Sequence, residues 1–177
     1  MHEGVPGHHL QLSLSNEAKG LPLIRKIIGF SGYAEGWALY SEQLAVEMGI
    51  YKNDPRGQIG MLHDALFRAV RLVVDTGMHY KKWSREQAVK YMAETMGDEE
   101  SGSVTEIERY VVWPGQACSY MIGKIVWLRA RAKAQKALGK KFDIREFHDA
   151  GLLSGMTPLT TLERVIDDYI VSKGGKV

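Results

Sequence analysis

No stretch of this chain alternates apolar and polar residues convincingly with period two, and apolar residues instead return every three or four positions. That spacing stacks apolar side chains on one face of a helix and gives a strand nothing to bury. The expected fold is therefore all-α, an irregular bundle of about seven or eight helices. A motif helix bearing the histidines is expected to pack against a helix bearing glutamates.

Start and stop signals place these helices. The first continues from the histidine-rich start to about Lys19, where Gly20 and Pro22 stop it, and Leu23 to Ile28 form a short turn or helix. A second long helix covers Tyr33 to Met48. Asp54 as cap with Pro55 as first helical residue opens a third, which ends between Gly77 and Trp83. Ser84 with Gln87 resembles a capping box for a helix to about Met96. Residues 97–102, with three acids, read as a solvated loop, after which Ser103 or Thr105 caps a short helix. Further helices run from Gln116 to Leu138, from Asp143 or Ile144 to Leu153, and from Pro158 through Ile170.

At 177 residues the chain is long enough for one well-packed domain, 1–177, and short for two independent ones. A net charge of +2 gives no general attraction to nucleic acid or to an anionic membrane. The basic run from Arg129 to Lys140 has no interleaved aromatics and reads as the solvated face of a helix, so no nucleic-acid partner is expected. No apolar run reaches the roughly 18 residues of a membrane span. Cys118 is the single cysteine, which rules out an internal disulfide. Met1 leads straight into the histidine motif with no signal-peptide pattern, an abrupt start that suggests a fragment; localisation stays unknown.

The chemistry is concentrated at His2-Glu3-Gly4-Val5-Pro6-Gly7-His8-His9, which holds three of the six histidines. Zinc accepts imidazole nitrogen and carboxylate oxygen, and a catalytic zinc keeps a position for water beside a free carboxylate. His2-Glu3 has the order of a zincin helix, but the H-E-x-x-H pattern needs histidine where this chain has Pro6. In an unbroken helix His8 would lie about 120° round from His2, and His9 would share its face but stand roughly 10 Å further along. Pro6 breaks the helix and Gly7 tolerates the resulting backbone, so the pair can loop out the extra residues and return His8 to His2. The alternative is that Pro6 begins a helix and leaves His2 and Glu3 in a terminal tail.

Two glutamates on the second long helix, Glu35 and Glu42, are seven apart and share a face, so either can point back at the histidines. Glu35 is the first candidate for a third ligand, because an ionised glutamate between Tyr33 and Trp37 is costly unless paired or on a metal. Its alternative role is to complement the helix dipole. Gly36 beside it would let another helix backbone come close. Elsewhere Arg71 and Asp75, four apart, can pair.

Taken together, His2 to Gln11, Tyr33-Ala34-Glu35-Gly36-Trp37-Ala38, Val74 to His79, Arg109-Tyr110 with Pro114 to Ala117 and Tyr120, and Phe147-His148-Asp149 with Gly155 and Pro158-Leu159 resemble a known pattern. They are similar to the carboxy-terminal region of a bacterial family catalogued as domain of unknown function 885. Its members resemble helical zinc peptidases of the glutamate-zincin kind, and many carry an export or lipoprotein signal. The resemblance implies a zinc site of His2, His8 and Glu35 with Glu3 as general base. It also implies a preceding segment that forms the other wall of a cleft.

The expected activity is zinc-dependent hydrolysis of a peptide substrate. Tyr120 or His79 is a candidate donor to the oxyanion, and His79 with Asp75 can instead orient a ligand from behind. Arg71, Arg109, His9 and Glu42 are further candidates for supporting roles. The competing expectation is a helical scaffold or binding domain whose zinc is structural, closed by His9 as a fourth ligand. Besides substrate, the candidate partners are the preceding segment or a second copy of the chain.

Overall fold

The computed structural model describes all 177 residues, and the protein is all-helical, with nine α-helices and no strand. They are α1 (His8–Glu17), α2 (Ile24–Ile27), α3 (Ser31–Glu47), α4 (Pro55–His79), α5 (Arg85–Met96), α6 (Glu100–Val112), α7 (Ser119–Leu138), α8 (Ile144–Leu152) and α9 (Leu159–Ser172). None is long and apolar enough to cross a membrane. The helices form two compact units, one of residues Met1–Leu44 with Ile122–Val177 and the other of Ala45–Met121.

The punctuation residues act as their chemistry suggests. Asp54 accepts a hydrogen bond from the Gly57 amide at 2.9 Å, Ser84 from the Gln87 amide at 3.1 Å, and Asp143 from the Arg145 amide at 2.8 Å. Each satisfies one of the amides that a helix start leaves without a partner. One boundary departs from expectation. The acidic segment read as a loop over 97–102 is already helical from Glu100, with Glu99 as its cap, and Ser103 is buried within α6 rather than capping it. Acidic residues in a first turn favour the helix dipole, which outweighs their appeal as a solvated loop.

The first unit is built on α3 and α7. Tyr33, Trp37, Tyr40 and Leu44 recur at helical spacing on α3 and are buried against Val126, Trp127, Ala130 and Ala134 of α7 and against residues of α8 and α9. The two helices touch through glycine: a Cβ on Gly36 would meet the Gly123 Cα at 2.4 Å, and one on Gly123 would meet the Gly32 carbonyl oxygen at 2.0 Å. That contact lets Trp37 and Trp127 meet with ring centroids 5.0 Å apart. On the outer side of α7, Arg129 pairs with Glu163 and Lys133 with Asp167, both on α9.

The second unit packs α4, α5 and α6 around Val70, Val74, Met92, Ile107 and Tyr110. Arg71 is buried there, and the expected pair with Asp75 is not what holds it. Its Nε donates to the Tyr110 hydroxyl at 2.9 Å and its Nη2 to Glu106 at 2.8 Å, while Tyr110 donates to the same Glu106 oxygen at 2.6 Å. Asp75 instead accepts from the Gly115 amide at 3.0 Å. A shared helix face allowed the pair, but α6 offers Arg71 two partners in the interior. Burial pushes the Glu106 carboxyl upward, yet Tyr110 and Arg71 outweigh it and hold its pKa below the ordinary value.

A carboxylate with a depressed folded pKa contributes stability above its unfolded pKa, about 4.3, and that contribution is lost as pH falls through the lower folded value. Replacing Glu106 with Gln strands a buried guanidinium and is expected to cost about 3 kcal/mol at pH 7. Urea unfolding should show this deficit narrowing below about pH 4, where the native carboxyl also gains its proton.

Candidate metal centre

Residues 1–7 are not helical, so His2 and Glu3 do not ride on a motif helix; α1 begins at His8, and Pro6 does not start it. The backbone nonetheless returns. The His8 amide donates to the His2 carbonyl at 2.8 Å and the His9 amide to the Glu3 carbonyl at 3.0 Å. These bonds reach back six residues where an α-helix reaches four. The two extra residues are looped out, and His8 is brought over His2. Gly7 is required by this return, since a Cβ there would lie 1.8 Å from the His2 carbonyl oxygen. The Trp37 indole nitrogen donates to the carbonyls of Pro6 at 2.8 Å and Gly7 at 3.3 Å.

The two imidazoles then meet edge to face, ring centroids 5.0 Å apart. Their Nε2 atoms converge on one oxygen of Glu35, at 3.5 Å from His2 and 3.1 Å from His8. The opposite ring nitrogens are held from behind. His2 Nδ1 donates to Glu42 at 2.7 Å, and His8 Nδ1 lies 3.4 Å from the side-chain oxygen of Gln11. Gln11 is itself buried and donates to the Tyr33 carbonyl at 3.5 Å. An acceptor oxygen on Nδ1 can keep a proton on that nitrogen, the arrangement that leaves Nε2 to bind a cation in metal-binding histidines. Glu3 completes the group: donor atoms of His2, Glu3 and His8 all lie within 4.8 Å of one another.

The hydrogen bond to Glu35 raises the His8 pKa above its ordinary value, against the opposing effect of burial. Burial lowers the pKa of Lys124 on α7, and the charge of Glu42 opposes that shift. Two imidazole nitrogens and a carboxylate oxygen on converging side chains match the donor set that zinc takes.

Of the sequence candidates, His2, His8, Glu3, Glu35 and Glu42 come together here. His9 is exposed and lies outside the group of donor atoms. Tyr120, His79, Asp75, Arg71 and Arg109 belong to the second unit. There His79 Nε2 donates to the Tyr110 carbonyl at 3.0 Å, so it does not lean on Asp75. The Tyr120 hydroxyl accepts from Gln116 at 3.4 Å and its ring faces the Arg71 guanidinium at 4.8 Å. Arg109 donates to Gln116 at 3.0 Å. Cys118 is buried, and burial foremost, with Asp75 beside it, pushes its thiol up to about 11. The sequence reading gave no role to Gln11 or Trp37. Gln11 stands one turn after His8, the spacing that could have revealed it.

Gly7→Ala should disturb the backbone return, costing about 1–3 kcal/mol as an overpacked contact does. Gly4 has open space around the position of a Cβ, so Gly4→Ala should leave thermal unfolding within about 0.5 kcal/mol of the parent. Equal effects of the two substitutions would count against the close approach at Gly7.

A family model described as bacterial protein of unknown function (DUF885) matches residues 1–166. A solved structure of a candidate lipoprotein from Colwellia psychrerythraea superposes with a TM-score of 0.94 at 52% identity, covering 97% of this chain and 29% of that one. A second, a candidate lipoprotein of unknown function from Shewanella oneidensis, superposes with a TM-score of 0.86 at 27% identity, covering 93% of this chain and 30% of that one. The chain thus spans about three-tenths of the length of both. No curated protein matches.

Proposed function

The chain belongs to the bacterial family of unknown function DUF885, and we propose that it carries the zinc site of a metallopeptidase, with His2, His8 and Glu35 as ligands. The observation that supports this most is the convergence of both Nε2 atoms on a single Glu35 oxygen, with each ring held through Nδ1. Such a site, with three ligands, leaves a coordination position for chemistry. Zinc there supplies Lewis acidity, polarising a carbonyl and making water a stronger acid at neutral pH.

The protein's own groups do the rest. Glu3 is exposed at the edge of the donor group, where its carboxylate can take a proton from the attacking water and return it to the leaving amine. Glu42 and Gln11 keep the two imidazoles turned inward, which spares the site from reorganising as charge develops. Substrate is then a peptide bond presented to the open side of the site.

A second reading draws on the same geometry. Glu3 has a donor atom within 4.8 Å of those of His2 and His8, so it can serve as a fourth ligand that closes a structural site.

One variant separates the readings, and two others test the metal itself. Purified protein should hold about one zinc per chain by elemental analysis, and His8→Ala should lose it while His9→Ala keeps it. Glu3→Gln should retain the metal and lose hydrolysis of a peptide library by about 10²–10⁴-fold if Glu3 is the base. Loss of zinc from Glu3→Gln would instead favour the closed site. A parent protein that takes up no zinc would sink both.

A further inference from the structure

We propose that Trp37 is the positioning residue that makes the His2–His8 spacing workable, its indole N–H tying down the looped-out segment and so fixing where His8 stands. The inference rests on the metal-site reading above and adds a residue to it. Between His2 and His8 the chain must make an excursion that no helix holds in place. Gly4 and Val5 are exposed, and Pro6 has no N–H with which to anchor itself. The excursion can be secured through its carbonyls, and the Trp37 Nε1 reaches two of them, Pro6 at 2.8 Å and Gly7 at 3.3 Å.

Trp37 is a rigid anchor for that task. It is 1% exposed and is wedged among Trp127, His148 and Tyr40, with ring centroids at 5.0, 5.2 and 5.5 Å. It also stands two residues after Glu35 on α3. The third ligand and the tie on the loop are therefore referred to one helix, so the loop cannot drift relative to Glu35 without breaking a buried hydrogen bond.

The same core holds its own control. Trp127 is fully buried and touches Trp37, yet its indole nitrogen has no hydrogen-bond partner. Trp127→Phe removes the same ring volume as Trp37→Phe but no tie. If Trp37 only fills space, the two substitutions behave alike. If it positions the loop, they part.

The test compares parent, Trp37→Phe and Trp127→Phe by two measurements. In competition with a chelator, Trp37→Phe should bind zinc about 10–100-fold more weakly than the parent, the range found when a group supporting a metal ligand is removed, while Trp127→Phe stays near the parent. In the metal-free protein, backbone amide exchange at His8 and His9 should be faster in Trp37→Phe alone. Equal effects in both variants, or none in either, would overturn the proposal. If the parent itself takes up no zinc, the metal-site reading fails. The exchange comparison then still decides Trp37: acceleration confined to Trp37→Phe sustains its role, and no acceleration removes it.

Discussion

Gly36 and Gly123 let two helix backbones touch, and the first unit is arranged around that contact. With a side chain at either position α3 and α7 would have to part, since an added Cβ would fall 2.0 to 2.5 Å from atoms of the opposing backbone. Their separation sets where Tyr33, Trp37 and Tyr40 stand against Trp127. Those rings are the platform beneath the histidine loop. Close packing of this kind leaves few alternative rotamers, so Trp37 and its neighbours present fixed polar atoms. Order in the loop follows from packing, because residues 1–7, His2 and Glu3 among them, have no helix of their own.

The loop shows the converse arrangement, with irregular backbone held by specific hydrogen bonds. Two amides reach back six residues, one indole holds two carbonyls, and a glycine admits the His2 carbonyl where no other residue fits. Around the two imidazoles stand the carboxylates of Glu3, Glu35 and Glu42. Gathering like charges in a part-buried site is costly, and the ammonium of Lys124 offsets part of that cost at Glu42. The hydrogen bond to Glu35 raises the His8 pKa, against the opposing effect of burial.

Much of this was legible in the sequence, and the reasons differ from residue to residue. The all-α architecture follows from periodicity, and the starts of α4, α5 and α8 follow from Asp54, Ser84 and Asp143 as caps. The looping-out at Pro6-Gly7 and the close approach at Gly36 were readable because proline and glycine have narrow physical meanings. Whether His8 or His9 returns to His2 depends on how many residues the loop omits, and the break at Pro6-Gly7 pointed to His8, whose ring meets that of His2 in the structure. The expected Arg71–Asp75 pair failed because i, i+4 spacing says only that two side chains can meet. Tertiary partners on α6 gave Arg71 a better-satisfied environment. Trp37 was visible as an aromatic residue beside Glu35, but a hydrogen bond from its nitrogen to a distant loop leaves no mark on local spacing.

The different tasks of Glu35 and Glu42 show why one helix face can serve two purposes. Seven residues separate them, about two turns or roughly 10 Å along α3. A single imidazole bridges that interval. His2 turns Nε2 to Glu35 at 3.5 Å and Nδ1 to Glu42 at 2.7 Å. Glu42 takes the closer contact and fixes the ring, while the Glu35 oxygen is shared with His8. Moving either glutamate by one residue would rotate it about 100° round the helix and remove it from the ring. The heptad spacing on α3 and the six-residue spacing in the loop are therefore one specification. The first sets the distance that a histidine ring must bridge, and the second brings another histidine to the Glu35 oxygen that His2 already approaches.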